Sequence, residues 1–303
     1  MSTGTGPAPA GRRYRITHRT EYRYSAVVTN SYGRGHLSPR DTARQRCLAF
    51  DLDIDPNPSD RSEHRDAYGN VSSYFQISER HHALTVVGQS VVEVDPPAPD
   101  FYTGGAATGP WESARPAGPE GMLSTEFTLD LRPPEITDAV RDYAAPSFTP
   151  GRPLMEVVAD LNARIFTDFT YRSGATTVST QVDQVLSARE GVCQDFARLA
   201  IACLRANGLA ARYVSGYLAT DPPPGKQRVF GIDATHAWAA VWTPDNRWLG
   251  FDPTNAQLVD ERYVTVGWGR DYADVPPLRG IIFTDSEHSV IDVSVDVAPL
   301  TDQ

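Results

Sequence analysis

The stretch GVCQDFARLAIACLRANGLAARYVSGYL, Gly191–Leu218, changes character twice. From Cys193 to Asn207 its composition is helical, and Asn207-Gly208 reads as the stop, because both residues tolerate the left-handed conformation that closes a last turn. ARYVSGYLA then reads as a strand. A cysteine therefore stands where a helix begins. Unpaired N–H groups and the positive dipole end of a first turn favour a thiolate, the nucleophilic form of cysteine. The Cys193 N–H is also placed to help hold an oxyanion. Ala200 and Leu204 fall on the face of Cys193, since about 3.6 residues make a turn. Small Ala197, Ala200, Ala202 and Ala206 let neighbours approach closely, so this helix can lie deep with only its first turn reachable.

A free cysteine is often just a small buried hydrophobe. Cys203, in mid-helix, and Cys47, at a strand start, fit that description. What separates Cys193 is a set of partners downstream. Of seven histidines, His236 in DATHAWAAVW begins a strand beside a tightly specified neighbour. That neighbour, RWLGFDPTN, carries Asp252. If the TPDN turn joins the two as a hairpin, opposite residues have numbers summing to about 490. His236 and Asp252 then share a face as diagonal neighbours, within reach of each other. An odd sum would put them on opposite faces. An imidazole can take the thiol proton and return it to a leaving group, and a carboxylate beside it fixes the tautomer. Cys193, His236 and Asp252 are thus the candidate catalytic residues. Trp238 and Trp242 share the His236 face and read as core or pocket wall. Asp195 reads as an organiser of the turn into the helix, and Gln184 is one candidate for a second oxyanion donor. The charges of RDYAD around Asp271 read as a solvated or sheet-covering loop.

Outward from this segment, PLMEVVADLNARIF puts Leu154, Val157, Val158, Leu161 and Ile165 on one helical face. Thr180 is placed to cap a short helix through Leu186. HSVIDVSVDV alternates as a last strand. Helices followed by antiparallel strands predict an α+β domain over residues 122–303. Residues 96–121, dense in Pro and Gly, read as a linker or surface excursion. Residues 13–95 are β-rich with no helical period. Tyr14, Ile16, Tyr22 and Tyr24 share one parity, as do Leu48, Phe50, Leu52 and Ile54, which predicts half-buried strands. Residues 1–12 read as a disordered leader.

Bulk properties narrow the partners. A net charge of −10 argues against a nucleic-acid footprint, which is basic. No apolar stretch has the length of a signal-peptide core or a membrane span. Three cysteines without a CxxC pair make neither a disulfide framework nor a zinc site, so a reducing, cytoplasmic compartment is expected. Nothing resembles a D-x-D-x-D-G calcium loop, and no metal or cofactor is expected.

Taken together, these residues resemble a known family. GVCQDFARLAIACLRANGLAARYVSGYL resembles the cysteine motif of transglutaminase-like proteins, a branch of the papain-like superfamily. HAWAAVW and RWLGFDPTN are similar to its histidine and aspartate motifs. YRITHRTEYRYSAVV with DAYGN, and GWGRDYADVPPLRG, are similar to the N-terminal region and a C-terminal signature of bacterial members. The resemblance implies a papain-like core, a central helix packed on an antiparallel sheet, after a sandwich-like β-rich N-terminal domain. It implies a triad of Cys193 as nucleophile, His236 as base and acid, and Asp252 as orienter. Bacterial members often read Asp-Phe-Ala-His after the Cys-Gln pair, whereas here Asp195-Phe196-Ala197 is followed by Arg198. The departure leaves the triad intact and touches the pocket or packing around the helix. The expected reaction is acyl transfer through a thioester on a peptide, protein or amide-containing substrate. Hydrolysis, as a peptidase or amidase, is favoured, transfer to an amine is the alternative, and a non-catalytic scaffold is the third reading. Some relatives are associated with ATP-grasp ligases, which implies an amide-bearing product of a partner enzyme as substrate.

Overall fold

A computed structural model of the chain describes residues 11–220, 235–286 and 288–300. The expected leader falls almost wholly outside the described residues.

The alternation at the N-terminus is realised in a single long strand, β1 (Arg12–Gly35). It is followed by β2 (Gln45–Asp55), β3 (Asp60–Arg65), β4 (Val71–Ile77) and β5 (His81–Val94). Along its first half β1 hydrogen-bonds antiparallel to β5, and its register against β5 breaks between Arg23 and Val28. Beyond that break it pairs with β4. Its other edge is covered from the far end of the chain. The strands β10 (Leu278–Thr284) and β11 (Ser289–Leu300), numbered after the four strands given below, pair with the second and first halves of β1. One strand is thus shared by two four-stranded halves. Val28, Leu52, Ile54, Phe75, Ile77, Leu84 and Val86 form one apolar cluster between them, which gives the sandwich-like form.

The second layer system is a helical group on a five-stranded antiparallel sheet. Its helices are α1 (Asp138–Ala144), α2 (Leu154–Asp168), α3 (Val182–Ala188) and α4 (Cys193–Ala206). Its strands are β6 (Ala211–Leu218), β7 (Thr235–Thr243), β8 (Arg247–Asp252) and β9 (Tyr263–Gly269), with Gln257–Leu258 added at the β8 edge. The order is Gln257–Leu258, β8, β7, β6, β9. All five apolar residues of the α2 face are fully buried. Helix α4 is buried from Asp195 to Arg205 and shares one core with Ala237, Ala239 and Val241 of β7. Small residues on both sides allow that contact. The two sheets meet in a second cluster, where Tyr14, Ile16, Val295 and Val297 pack on Tyr217, Val264 and Val266.

Four expectations need correction. Residues 96–121 are not a bare linker. They form short helical turns whose Ala107, Trp111 and Ala114 enter the main core, and Trp111 stacks edge-on against Phe148 at 5.2 Å. Residues 122–303 are not one spatial domain, because β10 and β11 return to the first sheet. Period-2 alternation reports a strand's two faces and not the sheet it joins. Leu48 is 49% exposed, since a bulge between Cys47 and Ala49 takes it out of register with β5. Helix α3 begins at Val182, capped by Gln181, whose N–H donates to Gln184 Oε1 at 2.9 Å. Thr180 instead accepts from the Thr177 N–H.

Candidate active site

Cys193 is the first residue of α4, and the helix start is held by Asp195. Its Oδ2 accepts the Val192 N–H at 2.8 Å and the Thr176 hydroxyl at 2.6 Å. This carboxylate folds back so closely that a Cβ on residue 191 would lie 2.9 Å from it, so glycine is required there. Hydrogen bonding into the helix begins with the Asp195 and Phe196 N–H groups, which donate to the Val192 carbonyl. The N–H groups of Cys193 and Gln194 precede that first bond and are the first-turn donors that can meet an oxyanion. Cys193 is half-buried, while the helix beyond it is sealed.

The hairpin of β7 and β8 adopts the expected register: Thr243 pairs with Arg247, Trp242 with Trp248 and Val241 with Leu249, each pair summing to 490. His236 and Asp252 therefore meet diagonally, with His236 Nε2 2.7 Å from Asp252 Oδ2. That contact leaves Nδ1 as the ring nitrogen available to Cys193, which lies near enough to act on the imidazole's charge. Burial alone would lower the His236 pKa. The bond to Asp252 and the nearby Cys193 outweigh it and push the pKa up to about 10. Asp252 is fully buried. Burial would raise its pKa, but His236, Asn255 and Tyr263 together hold it below the usual carboxylate value. Its Oδ2 accepts the Asn255 amide at 2.7 Å and the Tyr263 hydroxyl at 2.8 Å, and its Oδ1 accepts the Thr254 N–H at 2.9 Å. All three expected residues thus converge at one point.

The other residues singled out in the sequence have different duties. Gln184 is exposed and spent on capping α3, so it is not a second oxyanion donor in this geometry. Trp238 and Trp242 are both buried, and Trp238 tilts against His236 at 6.2 Å between ring centres. Gly216, opposite His236 on β6, makes room for this indole: a Cβ there would lie 2.7 Å from it. Arg198 points into packing and not toward Cys193. It donates to the Thr180 carbonyl at 2.6 Å and pairs with Glu135 and, at 3.0 Å, with Asp271. Burial, opposed by Arg198, pushes Glu135 up to about 7. Asp271 is accordingly an internal clamp and not a solvated charge. Reading single residues missed Tyr263, Asn255 and Thr176. Asn255 follows Asp252 in GFDPTN and was within reach of a turn argument, but Tyr263 comes from the next long strand and Thr176 from a loop, and no local pattern marks either.

Among the described residues there is no group of three or more potential metal ligands, and no helix is long and apolar enough to cross a membrane.

A sealed helix opening on a cysteine, laid on an antiparallel sheet that presents a histidine and an aspartate, is the papain-like arrangement. Comparison with known proteins agrees and narrows it. Residues 141–253 match the model of the transglutaminase-like superfamily, and residues 14–93 match that of the bacterial transglutaminase-like N-terminal region. An uncharacterised protein of Mycobacterium tuberculosis is 71% identical over 297 residues, covering 97% of this chain and 95% of that one. The chain belongs to the transglutaminase-like superfamily. A candidate cysteine protease from Cytophaga hutchinsonii shares the fold, with a TM-score of 0.73 at 20% identity over 97% of this chain and 92% of the other. A protein-glutamine gamma-glutamyltransferase of Pseudomonas aeruginosa is 34% identical over 95 residues, 31% of this chain and 14% of that protein.

Proposed function

We propose that this protein is a cysteine-dependent acyl-transfer enzyme whose preferred reaction is hydrolysis of a peptide or amide bond. The observation that carries the reading is the convergence of Cys193 and Asp252 on one imidazole, with His236 bonded at 2.7 Å to a fully buried carboxylate. In the forward half-reaction the Cys193 sulfur bonds to the carbonyl carbon, and the oxyanion is met by first-turn N–H groups. The C–N bond then breaks, and His236 protonates the departing amine. Water, deprotonated by His236, attacks the thioester, releasing the acid and restoring the thiol. Asp252 holds the imidazole in the orientation both steps need. The fold shared with a candidate cysteine protease supports hydrolysis.

Transfer to an amine is the second reading, and the stretch similar to a gamma-glutamyltransferase favours it. The two differ only in what resolves the thioester. Incubation with a glutamine-containing peptide, with and without a primary amine, separates them. Ammonia release without amine incorporation is the expected result, and preferential incorporation would establish transfer instead. Trapping an acyl-enzyme on Cys193 from a cell lysate, followed by mass spectrometry, tests both and identifies the acyl donor. If wild-type protein yields no adduct above a Cys193→Ala control, a scaffold role gains. The substrate is proposed to be amide-bearing and cytoplasmic, with an ATP-grasp ligase as one source.

A further inference from the structure

Behind the site, on the side of the second sheet that carries Trp238, lies a cavity of about 780 Å³. Its floor is made by β6, β7, β8 and β9, and its far wall by residues 42–44 and Asp95 of the first domain with Pro96, Ala98 and Phe101 of the segment that follows it. Such a volume suits a small organic molecule. Two features of its lining are unusual for a chain of net charge −10. Arg44, Arg212 and Arg247 face it against one carboxylate, Asp95. The half-buried rings of Trp248 and Phe101 supply flat apolar wall, while Trp268 is held between the Arg40 and Arg212 guanidinium groups and Trp238 is sealed.

Arg44 and Arg247 have partners of their own: Arg44 donates to the Asp95 carbonyl at 3.4 Å, and Arg247 pairs with Asp245. Arg212 differs. Its guanidinium lies between two indoles, 3.7 Å from the Trp268 centroid and 4.3 Å from that of Trp248. Its Nε is buried and meets no acceptor, and no carboxylate, carbonyl or hydroxyl among the described residues pairs with the group. The residual exposure of Arg212 is to the cavity. Burial and the nearby charge of Arg40 both disfavour its protonated form. A guanidinium carries five N–H donors in a rigid fork that matches an oxyanion. Leaving its Nε buried and unpaired costs stability, and cation–π stacking returns only part of that.

We propose that this cavity is a binding site for a small organic oxyanion, a carboxylate or phosphate on a flat apolar body, whose head pairs with Arg212 and whose body lies against Trp248 and Phe101. The site stands apart from Cys193 and does not depend on the proposed reaction. It makes the unpaired guanidinium intelligible as a group whose partner is a ligand.

Calorimetric titration of the full chain with benzoate, phenyl phosphate and neutral benzamide tests this, with tryptophan fluorescence as a second readout because three of the five tryptophans line the cavity. At least one anion should bind tenfold or more tightly than benzamide, and the preferred anion identifies the head group. Arg212→Met should weaken that anion at least tenfold, leave benzamide unchanged and keep or raise the melting temperature. Arg212→Lys, which keeps the charge but loses the fork, should give an intermediate loss and serves if the Met variant does not fold. Binding of neither anion, equal binding of benzamide, or undiminished affinity in both variants would overturn the assignment. A lowered melting temperature with no change in anion affinity would make the Arg–Trp stack purely structural.

Discussion

Asp252 accepts four hydrogen bonds, from His236, Tyr263, Asn255 and the Thr254 backbone. A buried carboxylate so supplied stays ionised, and an ionised partner at Nε2 keeps the proton on His236. The sign follows from the raised pKa. The imidazolium persists below about 10 and is lost as pH rises through that value. Asp252→Asn removes the main support, so the alkaline limb of kcat/KM against pH should move to lower pH, and kcat should fall by about 10²–10⁴-fold. Tyr263→Phe removes one of four donors and should cost about tenfold, the value of one hydrogen bond to a charged group. An unmoved alkaline limb in Asp252→Asn would mean that some other group holds the imidazole. The thiols give a second test at this scale. Burial, and secondarily Asp41, raises the Cys47 pKa, while burial pushes Cys203 up to about 12. Limiting iodoacetamide at neutral pH should therefore modify Cys193 first and Cys203 last. Labelling of Cys47 ahead of Cys193 would count against an activated nucleophile.

At the scale of elements, what could be read in advance depended on how local its cause was. The face of α2, the start of α4 and the register of β7 on β8 rest on period and turn chemistry within about twenty residues, and they were legible. So were the positions of Cys193, His236 and Asp252, since each marks the start or end of such an element. Strand β3 was not legible, because all six of its residues are exposed and no alternation betrays it. The partnership of β10 and β11 with β1 was hidden because strand pairing across the whole chain leaves no local mark. The clamp on the start of α4 was only half legible. Asp195 was recognised as a turn organiser, but Thr176, which donates to it at 2.6 Å, reaches back from a loop with no pattern of its own. Asp195→Ala strips the Val192 N–H of its acceptor and leaves the Thr176 hydroxyl unpaired. It should lower unfolding stability by about 1–3 kcal/mol, from a lost cap and stranded donors. Activity should drop more than Thr176→Val, which removes one donor only. Urea titrations of the two variants measure the first claim, and equal stability of Asp195→Ala and wild type would refute the capping role.

Across the whole molecule the first sheet and the second sheet are joined through an apolar seam, and an imidazole is sealed into it. His18 of β1 is 1% exposed. Its Nδ1 lies 3.0 Å from the Tyr217 hydroxyl of β6 and its Nε2 3.3 Å from Thr20 Oγ1. Its neighbours Ile16 and Tyr217 belong to the cluster that also takes Val264 and Val297. With no carboxylate beside it, burial lowers its pKa to about 4. Unfolding returns it to about 6.5, so between these values the unfolded chain binds the extra proton. The stability that the neutral ring permits is complete above about 6.5 and falls as pH drops toward 4, by at most about 3 kcal/mol at 1.36 kcal/mol per pKa unit. Carboxylates titrate in the same window, so the wild-type curve alone does not isolate the ring. The difference between wild type and His18→Phe does. At pH 7 the variant should be the less stable, having stranded the Tyr217 hydroxyl. As pH falls to 4 the gap should close by up to about 3 kcal/mol, because only the wild type carries the buried imidazole. A gap that stays constant from pH 7 to 4 in denaturant titrations would show that protonation of His18 does not drive the seam apart. A closing gap would assign to the buried His18 ring that share of the molecule's acid sensitivity.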